Sequence, residues 1–396
     1  MGRFYSWNDI LVMPGEVRAF AWSAPMRELA RKVGMSDVGL KKLLASYGVV
    51  APPQGYWNKV HAGKTVPKPP KPPPRRAGEI GRIRIDSRFA SVLTPVPPMP
   101  SHGPFASGEV PENLEALRAQ ELKAIGRVAV PRTLERPHMG LLQLLKREER
   151  RHEKQAERQW NWDSPRFDDP VGKRRLRILN GILLALAKRG HNGDVQERDG
   201  ELEVRAIVGD TYLGVAINVF GKHRKVRLNG YDRPAPDLPA STPLVVRIDS
   251  GFDGKTGEAW HDDQDGKLES KIVPIAAAII VAGEAKFRRS LREAEEREEQ
   301  MRVERERLRE VKLAELNNRR LADLRKSGEL LRQAQDIRAL VELVRDAMLA
   351  GPLEIDTDAL AGWERWALAE ADRIDPVRSG QIMTHLREPT VDPMDP

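Results

Sequence analysis

The chain has 396 residues and no cysteine, and its 66 lysines and arginines against 58 aspartates and glutamates give a formal net charge of +8. Without cysteine the chain can form no disulfide, no thiolate-ligated zinc site, no iron–sulfur cluster and no cysteine nucleophile. Apolar residues make up 40% of the sequence and charged residues 31%, which predicts several small folded units joined by polar segments rather than one large globule.

The positive charge is unevenly distributed along the chain. Residues 1–86 hold 15 basic and 6 acidic residues, a net charge of +9, whereas residues 351–396 hold 4 basic and 10 acidic residues, a net charge of −6. A basic end opposite an acidic end favours a polyanionic partner for the basic end. A charged surface that only keeps the protein in solution is the alternative interpretation.

Residues 1–66 predict a small helical domain, in which residues 26–45 (MRELARKVGMSDVGLKKLLA) read as two helices joined by a tight turn. Gly34 stands where the turn needs a left-handed backbone, Ser36 is placed to cap the second helix, and Gly48 is placed to end it. Apolar or small residues occupy the positions where the two helices would pack: Leu29, Ala30, Val33, Met35, Leu40 and Leu43.

This pattern resembles the helix-turn-helix family, whose second helix enters the major groove of DNA. The resemblance implies that exposed residues on both helices contact DNA, with Lys41 and Lys42 reaching phosphates or guanine edges. Asp37 departs from a strongly basic recognition face. The expected contact residues are Arg27, Arg31 and Lys32 on the first helix and Ser36, Asp37, Val38, Lys41 and Lys42 on the second. A helical hairpin that only shares this packing is the alternative.

A Pro-rich linker is predicted at residues 67–104. It begins with PKPPKPPPRR, which favours extended polyproline II, and ends in a second Pro-rich stretch at 94–104, with a short strand-like piece, IGRIRI, between them. A basic arm at residues 55–76, which includes Lys59, Lys64 and this first Pro-rich stretch, is expected to follow the DNA backbone or enter a minor groove. A solvated spacer and a ligand for an aromatic groove are the alternatives.

Residues 105–170 predict a helical segment, and residues 171–285 predict an α+β domain. KRRLRILNGILLALAKRG reads as a helix that stops at Gly190. ELEVRAIV and TYLGVAINVF alternate with period two on either side of Gly209-Asp210, which predicts an antiparallel hairpin. RKVRLNGY, PLVVRIDSG and EAWHDD are further strand candidates, and a helix then follows. We expect a sheet with helices on one face.

Residues 286–350 predict a long charged helical region, and residues 351–396 an acidic C-terminal helix and tail. Heptads counted from Phe287 give a mostly polar seam, so a helix held by ion pairs between successive turns is favoured over a coiled coil. The apolar runs 330–349 and 359–374 are expected to pack on it or on a second copy of the chain. The predicted fold class is mainly α with a central α+β domain: N-terminal helix-turn-helix, antiparallel sheet, long charged helix and C-terminal helices.

The sequence contains few of the motifs that are typical of catalytic sites. Both GKT triplets lack the glycine of a phosphate-binding loop, since Asn58 and Asp249 stand in its place, and HExxH and GxSxG motifs are missing. Asp249 with Glu269 and Lys271 resembles the metal-binding set of restriction-like nucleases, although here the ExK triplet opens a helix rather than lying on a strand. We therefore expect no metal, no cofactor and no enzymatic activity, with a metal-dependent nuclease as an alternative.

The sequence favours a DNA-binding protein with a regulatory or mobile-element role, and SDVGLKKLL…YGVVAPPQGYW with WERWALAEADRIDP resembles uncharacterised proteins of bacterial mobile elements. The expected partners are duplex DNA and, through the C-terminal helices, a second copy or another protein. A scaffold protein that binds no DNA is the alternative. The sequence lacks an uncharged apolar run of ~18 residues and a signal-peptide pattern, which predicts a cytoplasmic protein without membrane contact.

Overall fold

The computed structural model describes residues 9–157, 165–198, 201–228, 231–249, 256–351 and 356–391. The chain divides into two units, Met1–Ala294 and Glu295–Pro396. The predicted fold class is confirmed, because helices dominate, the central sheet is antiparallel, and a long helix and further helices follow it. Within the described ranges, no helix combines the length and the apolar character needed to cross a bilayer.

The N-terminal part of the first unit contains four helices and a two-stranded sheet. Its elements are β1 Ile10–Val12, α1 Pro14–Ala21, α2 Met26–Val33, α3 Asp37–Ser46, α4 Tyr56–His61 and β2 Ile83–Ile85. β1 and β2 pair antiparallel. A turn of 3-10 helix at Ser87–Ser91 then buries Phe89, whose ring meets that of Phe20 edge-on at a centroid distance of 5.7 Å. Part of residues 67–104, predicted as a linker, thus completes the core of the N-terminal helices.

Three helices lead from this part to the sheet: α5 Leu114–Ile125, α6 Met139–Glu157 and α7 Pro170–Lys188. Side-chain caps fix where two of them begin, because Asn113 accepts hydrogen bonds at the start of α5 and Asp169 accepts one from Gly172 at the start of α7. After α7 the chain turns at Gly190, which has a φ of 75°. The sequence predicted this stop.

The central sheet has five antiparallel strands in the order β3-β4-β5-β8-β9. These strands and the separate hairpin β6-β7 are β3 Asn192–Arg198, β4 Glu201–Val208, β5 Thr211–Val219, β6 Lys225–Leu228, β7 Tyr231–Pro234, β8 Leu244–Asp249 and β9 Thr256–His261. The candidate RKVRLNGY therefore lies outside the five-stranded sheet. Strand β3 is not predicted by the sequence, because Val195 is the one apolar side chain in its seven residues.

The largest core lies between this sheet and two helices. Residues of β4 alternate between buried and more exposed positions, and Leu202, Val204, Ala206 and Val208 face the core. The same core includes buried residues of α7 and the first turns of α8, which spans Ile272–Leu349. Each fully buried isoleucine or leucine contributes about 1.5–3 kcal/mol, so the helix-on-sheet packing supplies much of the stability of the first unit.

The second unit contains the part of α8 beyond Ala294 together with α9 Thr357–Ile374 and α10 Met383–Leu386. Arg338 on α8 donates to Asp372 at 2.8 Å and to Asp375 at 2.9 Å, and these ion pairs join α8 to α9 and its C-terminal cap. Small and branched side chains are buried where the two helices meet: Ala334, Val341, Ala367 and Ala371. The two apolar runs predicted at 330–349 and 359–374 thus pack on each other.

Candidate nucleic-acid interface

The turn between α2 and α3 has the backbone that the sequence predicts. Gly34 lies in the left-handed region, with φ 68° and ψ 40°, and its N–H donates to the carbonyls that end α2. The N–H of Met35 donates to the oxygen of Ala30 at 3.0 Å, which closes the helix end. Ser36 then caps α3, since its Oγ accepts from the N–H of Gly39 at 3.1 Å. Two helices are therefore joined by a short, hydrogen-bonded turn.

The inner faces of α2 and α3 contribute several buried side chains to the local core. Leu29 and Leu40 are fully buried, and Ala30 and Val33 are buried beside them. Met35 and Leu43 are half-buried and pack on the same cluster. All six apolar positions chosen from the sequence thus face inward, and the opposite sides of both helices are left to solvent.

Every side chain predicted to contact DNA is exposed. The set is Arg27, Arg31, Lys32, Ser36, Asp37, Val38, Lys41, Lys42, Lys59 and Lys64. Two of the polar members also hold the helix start, because Ser36 is the cap and Asp37 accepts from the N–H of Val38 at 2.9 Å. The remaining charged members are cations, and across the described part of the chain none of them forms an ion pair or a side-chain hydrogen bond.

Arginines in the body of the first unit have a different environment. Arg174 is buried and donates to Asp262 at 2.9 Å and to Glu269 at 2.7 Å. Arg189 similarly donates to Glu121 at 2.7 Å. Carboxylates thus neutralise Arg174 and Arg189, whereas the exposed cations of the α2–α3 region remain available to an external anion.

Aromatic contacts attach α4, and with it Lys59, to the rest of the N-terminal helices. Tyr56 meets Trp22 edge-on at a centroid distance of 5.1 Å, and the indole N–H of Trp22 donates to the oxygen of Val50 at 2.8 Å. The role of these aromatic side chains in orienting a basic helix was missed, and the aromatic spacing alone does not reveal it.

The Pro-rich arm is exposed at its lysines and fixed at its far end. Lys64, Lys68 and Lys71 are exposed, whereas Arg18 donates to the oxygen of Pro70 at 2.7 Å. Arg75, the first arginine after the prolines, is buried in the body of the first unit. The arm therefore presents several cations from a segment that is held at its far end.

The residues of the nuclease hypothesis are engaged in other contacts. Glu269 lies in a turn of 3-10 helix, and its hydrogen bonds from Arg174 lower the pKa of its carboxyl below the usual value. Lys271 donates to Asp263 at 2.6 Å. Among the residues that the structure describes, no three histidines, aspartates or glutamates are grouped so that they could hold a metal ion. The described geometry thus adds nothing in favour of metal-dependent cleavage.

No protein-family model, no curated protein and no solved structure matches this chain. Its site must therefore be interpreted from its own residues. In the α2–α3 region the geometry offers exposed lysines and arginines on a rigid helical pair, which is a surface suited to phosphate groups.

Proposed function

We propose that the protein binds duplex DNA through α2 and α3, in the manner of a helix-turn-helix protein. One observation carries this proposal: the cations on and beside these helices are exposed and lack carboxylate partners in the described structure, whereas Arg174 and Arg189 of the same unit are paired with carboxylates. Lysine and arginine side chains without an internal counter-ion are the groups that displace counterions from a DNA backbone.

In this proposal α3 enters the major groove and α2 lies across the backbone. Lys41 and Lys42, on the exposed side of α3, contact phosphates or guanine edges, while Arg27 and Arg31 of α2 contact phosphates. Asp37 lies in the first turn of α3, where its charge favours the helix but repels a phosphate. Most of the affinity would therefore come from the backbone contacts and would fall with added salt.

Fluorescence anisotropy of a labelled duplex, titrated with the full chain at low salt, tests this proposal. Lys41→Ala with Lys42→Ala should weaken binding by about tenfold or more, because two phosphate-contacting charges are lost. The matched control replaces Lys123 and Lys146, two exposed lysines on body helices without ion pairs in the described structure, and should leave the affinity near the wild-type value. Equal effects of the two double variants, or no binding at low salt, would contradict the proposal.

The biological setting follows from the same proposal and from sequence resemblance. A regulatory or mobile-element role rests on the resemblance of two segments to bacterial mobile-element proteins, and a DNA partner agrees with the cytoplasmic location that the sequence favours. Binding measured with duplexes of random sequence and with duplexes taken from the ends of a mobile element separates the regulatory role from the mobile-element role. A mobile-element role predicts a preference for the element ends, and equal affinity for all duplexes would contradict it.

Exposed apolar side chains on the second unit favour an additional protein contact. Met301, Leu308 and Val311 of α8 are 58%, 44% and 50% exposed, and their spacing of seven and three residues places them near one helix face. We propose that this face self-associates. Light scattering over a concentration series should show a larger mass that Leu308→Lys reduces, and a monomeric mass at all concentrations would contradict self-association.

A further inference from the structure

A cleft of about 560 Å³ lies within the first unit, between the end of α3 and the segment that follows the prolines. Its charged lining consists of four arginines and two carboxylates: Arg18, Arg75, Arg76, Arg82, Glu79 and Asp210. The volume falls within the range of small-molecule sites. These residues are distant in sequence, because they come from α1, from residues 75–82 after the first prolines and from the turn after β4.

Two of the four arginines are neutralised by carboxylates. Arg75 donates to Glu284 at 2.7 Å, and Arg76 donates to Glu79 through Nε at 2.9 Å. Asp210, the second carboxylate of the lining, accepts from the N–H of Ile80 at 3.2 Å. Arg18 and Arg82 are therefore the two arginines of the lining that are not paired in this way.

Arg18 is 7% exposed, and its one hydrogen bond in the described structure is donated by Nη1 to the oxygen of Pro70 at 2.7 Å. Its Nε is buried and has no partner among the described residues. Arg82 is only half-buried, but its Nε also has no acceptor among the described residues, and burial lowers the pKa of its guanidinium. Buried guanidinium groups without an anion are costly.

We propose that this cleft binds a small phosphate-bearing anion of nucleotide size, with Arg18 and Arg82 as its phosphate ligands. A guanidinium offers a planar pair of donors that matches a phosphate, and both Arg18 and Arg82 line the cleft without a carboxylate partner among the described residues. Pro14 and Pro73 supply an apolar wall for the rest of such a ligand. The proposal is independent of DNA binding, although Ser46 at the end of α3 also lines the cleft.

The same phosphate chemistry has two sources, a free anion or the backbone of a duplex. The enclosure of Arg18 favours the free anion, because a guanidinium this deeply buried is hard for a rigid duplex to reach. Inorganic pyrophosphate is therefore the first probe and a nucleoside diphosphate the second. Neither assay contains DNA, so a negative result leaves the DNA-binding proposal untouched.

Isothermal titration of the full chain with pyrophosphate provides the test. The wild-type protein should bind at a single saturable site, and Arg82→Gln should weaken binding about tenfold or more, since a charge-assisted hydrogen bond is lost. Arg84→Gln is the matched control: the same charge is removed two residues away, from an exposed side chain that does not line the cleft. It should change the affinity by less than about twofold, as expected for a weak surface charge effect.

Further outcomes separate the ligand from an unfolded variant and from DNA. Pyrophosphate should raise the thermal midpoint of the wild type and not that of Arg82→Gln, whose own midpoint without ligand stays close to the wild-type value because no described hydrogen bond is lost. The proposal is overturned if the wild type shows no saturable binding of pyrophosphate, or if Arg82→Gln and Arg84→Gln weaken that binding equally. So does the case in which Arg82→Gln weakens duplex binding while pyrophosphate does not bind.

Discussion

Arg75 and Glu284 form a buried ion pair between residues that are 209 positions apart in the chain. The two Nη atoms of Arg75 donate to the two carboxylate oxygens at 3.0 and 2.7 Å. Glu284, on α8, also accepts from the N–H of Gly78 at 2.7 Å and from Arg288 at 2.8 Å. This arrangement ties the end of the Pro-rich segment to the helix that covers the sheet. The basic N-terminal region is therefore anchored to the body of the first unit.

Replacing Glu284 by alanine should strongly destabilise the first unit. Burial alone would raise the pKa of Glu284, but the hydrogen bonds from Arg75, Gly78 and Arg288 lower it, so the group is an ionised partner for two buried arginines. Removing it leaves both charges uncompensated, at a cost of about 3–5 kcal/mol. Urea unfolding measures this cost, with Glu153→Ala as an exposed control. A loss below about 1 kcal/mol, the value typical of a surface pair, would contradict this view of the pair.

Gly78 should tolerate a side chain far less well than Gly63. Both residues have positive φ, 74° and 66°. A Cβ on Gly78 would lie 2.1 Å from the backbone oxygen of Val208, whereas one on Gly63 would meet nothing within 4 Å. Alanine at Gly63 should cost roughly 1–2 kcal/mol for the left-handed backbone. At Gly78 the clash with a fixed carbonyl should add about 1–3 kcal/mol more.

Thermal unfolding of the two glycine variants measures this difference directly. Because both substitutions share the same backbone penalty, the gap between their midpoints isolates the close approach of the linker to β4. Equal destabilisation would mean that the approach at Gly78 is not maintained in solution.

Local sequence signals predicted the regular elements well where the apolar period was clear. ELEVRAIV coincides with β4 at Glu201–Val208, and Gly190 ends α7 as expected. The contacts that depend on distant residues were beyond the sequence. Proline content indicates an extended backbone at 67–74, but nothing local reveals that Arg75 pairs with Glu284, or that β2 pairs with β1.

The first unit should become less stable as the pH falls, because of His191. Burial and the nearby charge of Arg76 lower the pKa of His191 from 6.5 to about 4. Between these two values the unfolded chain binds a proton that the folded chain does not, so acidification favours unfolding. The loss approaches about 3 kcal/mol as the pH nears the folded pKa.

Urea unfolding of the wild type and of His191→Gln at a series of pH values from about 7 to about 4.5 tests this assignment, since that window begins just above the unfolded pKa and ends just above the folded one. The variant should show a smaller decrease in unfolding free energy over this interval, whereas His102→Gln, at an exposed position, should retain the wild-type slope. Identical slopes for the wild type and the His191 variant would show that this histidine does not titrate as inferred.

Ser36→Ala should weaken the start of α3. The Oγ of Ser36 accepts from the N–H of Gly39, and loss of such a cap costs about 1 kcal/mol. Ser36→Thr keeps an acceptor oxygen and should cost less. If the two variants unfold at the same denaturant concentration, the cap does not contribute to the stability of the helix pair.

The candidate interface divides in the same way between what the sequence predicted and what it missed. The exposed positions of α2 and α3 can be predicted from helical periodicity. Leu29 and Leu40 mark the buried face of each helix, so the residues on the opposite face are exposed. The buried position of Arg18 does not follow, because its environment is built by Pro70 and by residues of the cleft far along the chain. The charged residues can be counted in a sequence, whereas the partners of their side chains depend on the fold.

The salt dependence of duplex binding tests the central claim, DNA binding by the unpaired cations of α2 and α3, most directly. The logarithm of the binding constant of the full chain should fall linearly with the logarithm of salt concentration, by about 0.9 for each phosphate contacted. Lys41→Ala with Lys42→Ala should make this slope shallower by about 2, and the control at Lys123 and Lys146 should leave it unchanged. Absence of binding at low salt, or equal slopes in the wild type and the Lys41/Lys42 variant, would contradict the claim.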